Sequence, residues 1–180
     1  MINIDTTQAD RVIERQAQLL SSQELARAGA SAVNRASRAA ATAMNRAIRQ
    51  ELAIRAGDVR ERIKVSRATP GKVESTITVD RRPLPLSHYQ GMRQTNRGVS
   101  VRIKRGGGLV RIPGAFIVEA YQGEAFLRAG PERGPVGMLF GPSIGSQADA
   151  AWKDAERRGV EVLNDRLSRE VRRRFELANR

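Results

Sequence analysis

The chain has no cysteine, a single histidine and only 4% aromatic residues. Without cysteine there is no disulfide framework and no thiolate to bind a soft metal or act as a nucleophile. One histidine, His88, has no second imidazole to work with, and nothing near it in sequence forms an acid–base partner. A hydrogen-bonded structural role is the expectation for it. With so few aromatics, the core must be built from Ala, Val, Ile and Leu, which points to helix packing and a modest sheet. No apolar run approaches the ~18–20 residues of a membrane span. The first residues, Met1-Ile2-Asn3-Ile4-Asp5, lack the basic-then-apolar order of a secretion signal. A reducing cytoplasm is the expected place of synthesis, with no membrane, no metal and no cofactor.

What is abundant is positive charge. Lys and Arg number 32 against 19 Asp and Glu, a net +13, and only Lys64, Lys72, Lys104 and Lys153 among the basic residues are lysines. Arginine stays charged when half-buried and forks onto carboxylates or phosphates, so the bias suits interfaces as well as nucleic acid. Hydrophobic residues make up 40% of the 180, enough for a core in one domain spanning 1–180.

Three regions differ in composition. Residues 6–64 hold no proline, are rich in alanine and read as helical. Leu25, Val33, Ala36, Ala40, Met44, Ile48 and Leu52 share one helical face, and Arg27, Arg35, Arg38, Arg46 and Arg49 take the other. Ser21-Ser22 marks a break or cap, and Ala56-Gly57-Asp58 a helix end followed by a new N-cap and a short helix over 59–64. Residues 65–142 contain all seven prolines and alternate as strands do. The alternation predicts strands over 73–79 and 99–103, a turn at Gly106-Gly107-Gly108, a return over 109–112, and a pair over 116–120 and 125–129 around Gln122-Gly123. Pro83 and Pro85 bracket an extended edge segment. Residues 146–178 read as one helix, with Ser146 as N-cap and a stripe of Trp152, Ala155, Gly159, Leu163, Leu167, Val171 and Phe175. The expected fold is α+β: long N- and C-terminal helices packed on a small antiparallel sheet with extended hairpin loops.

More than half of the charge excess falls in residues 81–134, with 10 basic and 3 acidic side chains. Arg81, Arg82, Arg93, Arg97, Arg102, Lys104, Arg105 and Arg111 are therefore the candidates to face DNA or an acidic partner. A charged, aggregation-resistant sheet edge is the competing structural reading. Only Tyr89 could stack a base, so contact with nucleic acid would be to phosphate. The run Arg172-Arg173-Arg174 fits the favourable placement of cations at a helix C-terminus. Gly106-Gly107-Gly108 lacks the Lys-Ser/Thr and helix of a phosphate-binding loop and reads as a hairpin tip. Scattered carboxylates give no metal cluster or nucleophile, so no enzyme is expected.

Some strings are specific. Pro83-Leu84-Pro85-Leu86-Ser87-His88-Tyr89-Gln90-Gly91 precedes the basic hairpin, which runs into Arg111-Ile112-Pro113-Gly114-Ala115-Phe116-Ile117. Ala43-Met44-Asn45-Arg46-Ala47 lies before both, and Gly141-Pro142-Ser143-Ile144 precedes the last helix. In this order they resemble the minor tail protein Z family of long-tailed bacteriophages and prophages, the lambda-like tail-completion proteins, from about residue 28 onward. The resemblance implies a non-enzymatic virion protein at the head-proximal end of the tail, joining tail to neck and assembled in the bacterial cytoplasm. It implies a ring of identical subunits, six to match a tail tube, with the tail terminator, tail tube and neck or connector proteins as partners and DNA in the channel. Pro83, Pro85, Ile112, Pro113, Gly114 and Phe116 would be its structural motif residues; the Pro113-Gly114 bend presents Phe116 to the core, the favoured reading, or to a neighbouring subunit. The family's basic run before the glycines is denser than Arg102-Ile103-Lys104-Arg105, which puts joining ahead of DNA binding. The alternative is a free-standing basic nucleic-acid-binding module.

Overall fold

A computed structural model describes residues 7–130 and 134–179, with side chains from Ile13 onward. Helix α1 (Thr7–Gln18) is followed by α2 (Ser22–Glu51) and α3 (Ala56–Arg62). Strands β1 (Ile63–Val65), β2 (Ile77–Val79), β3 (Arg93–Thr95), β4 (Gly98–Val101), β5 (Val110–Pro113), β6 (Phe116–Val118), β7 (Glu124–Arg128) and β8 (Val136–Met138) come next, before α4 (Gly145–Ala178). The fold is α+β. The strands form three small sheets, β1-β2, β3-β4-β5 and β6-β7-β8, and the two larger ones are antiparallel throughout.

The chain divides into two compact units: Met1–Ala43, Val65–Ile77 and Lys153–Arg180 in the first, Met44–Lys64 and Thr78–Trp152 in the second. The first is held by small side chains. Ala28, Ala32, Ala36 and Ala40 recur every four residues on α2 and are buried, as are Ala155 and Val171 on α4. A Cβ built at Gly159 would lie 3.3 Å from the Ala40 Cβ, so α2 and α4 approach closely enough there that side-chain size decides the fit. Leu20, Ala28 and Val171 form a cluster with Ile13, Ala17 and Phe175 against it. Ser21 caps α2: its Oγ accepts from the Glu24 N–H at 3.3 Å and donates to the Glu24 carboxylate at 3.2 Å.

The second unit buries Met44, Ile48, Leu52, Ile54, Val59, Leu84, Leu86, Tyr89, Val99, Val101 and Ile144. The hairpins fall where alternation predicts them. Strand β4 pairs with β5 from Gly98 opposite Pro113 to Val101 opposite Val110. β6 pairs with β7 around a turn in which Gln122 and Gly123 take left-handed backbone angles, φ 56° and 74°. Gly98, at φ 124°, sits so close to β5 that a Cβ would fall 2.1 Å from the Ile112 carbonyl oxygen.

Several local expectations shift. Helix α2 stops at Glu51 because Leu52–Ile54 is drawn into pairing: Ala53 N–H donates to Ile103 O at 2.9 Å, and Gln90 N–H to Ala53 O at 2.8 Å. The next helix begins at Ala56 with no side-chain cap from Arg55, which puts Asp58 inside its first turn rather than at its cap. Ile63 and Lys64 are strand, and 73–76 is not. The α4 entry is served by Ser143, whose Oγ accepts from the Gly145 N–H at 3.3 Å, and Ser146 lies within the helix. The buried face of α4 runs through Ala148, Ala151 and Ala155, leaving Trp152 46% exposed, with Leu167 and, on α2, Leu25 also outside. Periodicity alone ranks large apolar residues first, whereas this core selects methyl groups. Strand β3 escaped prediction because Arg-Gln-Thr carries no alternating apolar signal, and β8 because Val-Gly-Met is only three residues long with a glycine at its centre.

Candidate functional site

The eight candidate cations are all exposed and lie in the second unit, but their surroundings differ. Arg81 forks onto Asp149, with Nη atoms 2.6 and 3.0 Å from its two oxygens. Arg82 reaches Asp80 at 2.7 Å, and Arg62 reaches the same carboxylate at 2.8 Å. Hydrogen bonds from the Arg82 side chain and backbone N–H, with the charge of Arg62 added, hold the Asp80 carboxyl well below the ordinary aspartate range. These two arginines are thus matched by acids of their own unit. They brace the Pro83–Pro85 segment and the start of α4 rather than presenting free charge.

The remaining six form two groups. Arg93 on β3 and Arg111 on β5 both lie opposite Ser100 of β4, so the three side chains share one sheet face. Ser100 is 4% exposed, and Arg93 Nε stands 3.4 Å from its Oγ. Beside them Thr95, Asn96, Arg97 and Arg111 line an open depression. The second group sits on the loop after β4. Arg102 N–H donates to Gln90 O and Arg105 N–H to Glu51 O, each at 2.9 Å, and an Arg105 Nη donates to Arg49 O at 3.1 Å. Lys104 bridges Leu52. The loop's backbone is therefore tied to the end of α2 while its cationic ends are exposed. Among the described residues, Arg93, Arg97, Arg102, Lys104, Arg105 and Arg111 have no carboxylate within ion-pair distance.

The motif strings serve the fold around this surface. Leu84 and Leu86 are buried on either side of Pro85, which bridges Phe140. Gly141 N–H donates to Leu84 O at 2.7 Å, and the buried Tyr89 hydroxyl donates to Pro142 O. Burial pushes the Tyr89 phenol up to about 12. A Cβ at Gly141 would fall 2.4 Å from the Tyr89 ring. The Pro83–Gly91 and Gly141–Ile144 strings thus lock to each other. Ile112 lies opposite Val99, Pro113 ends β5, and Gly114 turns at φ 70°. Phe116 is half-buried rather than fully in the core: it stacks on Phe126 at 6.3 Å, and the Arg128 guanidinium covers its ring at 5.4 Å. The His88 Nδ1 lies 3.2 Å from an Asp58 carboxylate oxygen, an acidic neighbour 30 positions away in the chain.

Sequence reading missed Asp149 as the partner of Arg81, because the two lie 68 positions apart. It also missed the apolar edge of β8, where Val136 is 50% and the following Phe140 54% exposed. No group of three or more His, Asp or Glu able to hold a metal occurs among the described residues, and none of their helices is long and apolar enough to cross a membrane.

The family model described as prophage minor tail protein Z matches residues 9–179. The chain belongs to that family. It is a phage minor tail protein, a component of the virion. No curated protein and no solved structure gives a significant match. In this tail protein, the strings that carry the family resemblance build the Tyr89–Gly141 lock and the turn from β5 to β6 at Pro113-Gly114.

Proposed function

We propose that this minor tail protein completes the tail at its head-proximal end and joins it to the neck as a non-enzymatic ring of identical subunits, six to match the tail tube. The observation that carries the reading is family membership over nearly the whole chain. Two surface features support it physically. Strand β8 ends its sheet with β7 on one side only, and Val136 and Met138 are exposed along it, before Pro85 and Leu86 pair with the following Leu139–Phe140 segment. Such an edge is a liability in a lone molecule and an asset between subunits. The six unmatched cations of the β3-β4-β5 sheet and its loop face outward, suited to acidic faces of terminator, tube or connector proteins and to DNA passing through the lumen. Repetition around a ring would multiply weak, sequence-blind phosphate contacts.

Imaging of purified tails and of complete particles carrying a tagged chain tests this. Six copies at the head-proximal end are expected. A single copy, or density at the host-facing tip, would sink the proposal.

A further inference from the structure

We propose that a concavity on the first unit binds the phosphodiester backbone of a nucleic acid. It goes beyond the tail-joining reading, since it is built from residues other than the sheet cations and needs neither a ring nor a position in the tail.

The cavity, of about 550 Å³, is lined by six arginines: Arg27, Arg35, Arg38, Arg67, Arg166 and Arg174. Glu170 is the one acid among its lining residues, and it accepts a hydrogen bond from Ser31 Oγ at 3.0 Å. None of the six arginines has a carboxylate within ion-pair distance among the described residues. The contrast on α4 is instructive. Arg157, Arg158 and Arg169 each pair with an acid three or four positions away, at 2.8, 3.1 and 2.8 Å. Arg166 and Arg174 flank Glu170 at that same spacing and stay unpaired. The Arg174 Nε is shut away from solvent with no acceptor.

The concavity is built rather than incidental. Asn34 on α2 clamps the 65–76 segment at both ends of one residue: its Nδ2 donates to Ala68 O at 2.8 Å, and its Oδ1 accepts from Ala68 N–H at 2.9 Å. That clamp sets Arg67 and Pro70 on the rim facing the α2 arginines. Like charges gathered in one depression repel one another and require a counter-charge of matching density.

The lining selects the ligand. Its apolar members are Ala30, Ala68 and Pro70, so it offers no aromatic or large aliphatic anchor of the kind that carries binding energy between proteins. The same absence removes base stacking and leaves no sequence readout. Guanidinium forks suit phosphate oxygens, and so many in one concavity call for consecutive phosphates of a polymer.

Fluorescence anisotropy of the full-length chain with a mixed-sequence DNA duplex, titrated across salt, tests the site. The triple reversal Arg35→Glu, Arg38→Glu, Arg166→Glu should weaken binding by at least about tenfold and reduce the log–log salt slope by about 2–3, at roughly 0.9 for each phosphate no longer neutralised. The triple Arg→Lys change at the same positions should keep the salt slope within about one unit of wild type, because the number of neutralised phosphates is kept, and should lose less affinity than the Glu triple, the loss reflecting the missing guanidinium forks. Reversal of Arg102, Lys104 and Arg105 should cost less than the concavity triple. Unchanged affinity and slope in the Glu triple would overturn the proposal, as would equal losses in the Lys triple. So would failure of the wild-type chain to bind the duplex, or displacement of duplex by polyglutamate at matched charge, which would assign the concavity to an acidic protein segment.

Discussion

An arginine in this protein is defined by whether a carboxylate lies against it. Arg81 and Arg82 look identical in sequence to Arg93 or Arg97, yet their charges are matched by Asp149 and Asp80. The same scale explains why glycine is required at one position and free at another. Alanine at Gly141 would drive its Cβ to 2.4 Å from the Tyr89 ring, whereas nothing lies within 4 Å of a Cβ at Gly137. Gly141→Ala should therefore destabilise the fold by about 1–3 kcal/mol or more through overpacking. Gly137→Ala should stay within about 0.5 kcal/mol. Denaturant midpoints of the two variants check this directly.

Among the elements, the long helices owe their packing to small side chains and one polar clamp. The alanine run of α2 and Gly159 of α4 permit a close approach that larger residues would prevent. Asn34 stands in for a neighbouring strand by serving both the N–H and the C=O of Ala68. Asn34→Leu removes both hydrogen bonds and leaves two backbone groups to find other partners. A loss of about 2 kcal/mol is expected, with amide hydrogen exchange at Ala68 accelerated well beyond that of the α2 interior. Exchange at Ala68 that matches wild type would show that the clamp does not hold the segment.

For the whole molecule, the proposed ring depends on edges that a single chain leaves open. Val136→Glu, opposite the exposed Arg128 of β7, places a charge on the free edge of β8 away from the Phe126–Met138 pair. The variant should keep the thermal midpoint of the monomer and lose self-association, read as molar mass by light scattering or sedimentation. Assembly equal to wild type would assign subunit contact to another surface.

The order helix, basic sheet region, helix was legible in the sequence because alanine content, proline placement and alternation are local properties of the chain. The α4 span, the β4–β5 and β6–β7 hairpins and the break at Ser21 follow from the same local signals. Pairing of distant charges does not. That Arg81 meets Asp149, that Asn34 clamps Ala68, and that Arg27, Arg35 and Arg38 share a concavity with Arg67, Arg166 and Arg174 was settled only by the fold. Periodicity records which face of a helix a residue occupies, but only packing decides what stands opposite it. An arginine's charge is written in the chain; whether that charge is already neutralised is a matter of distances between segments.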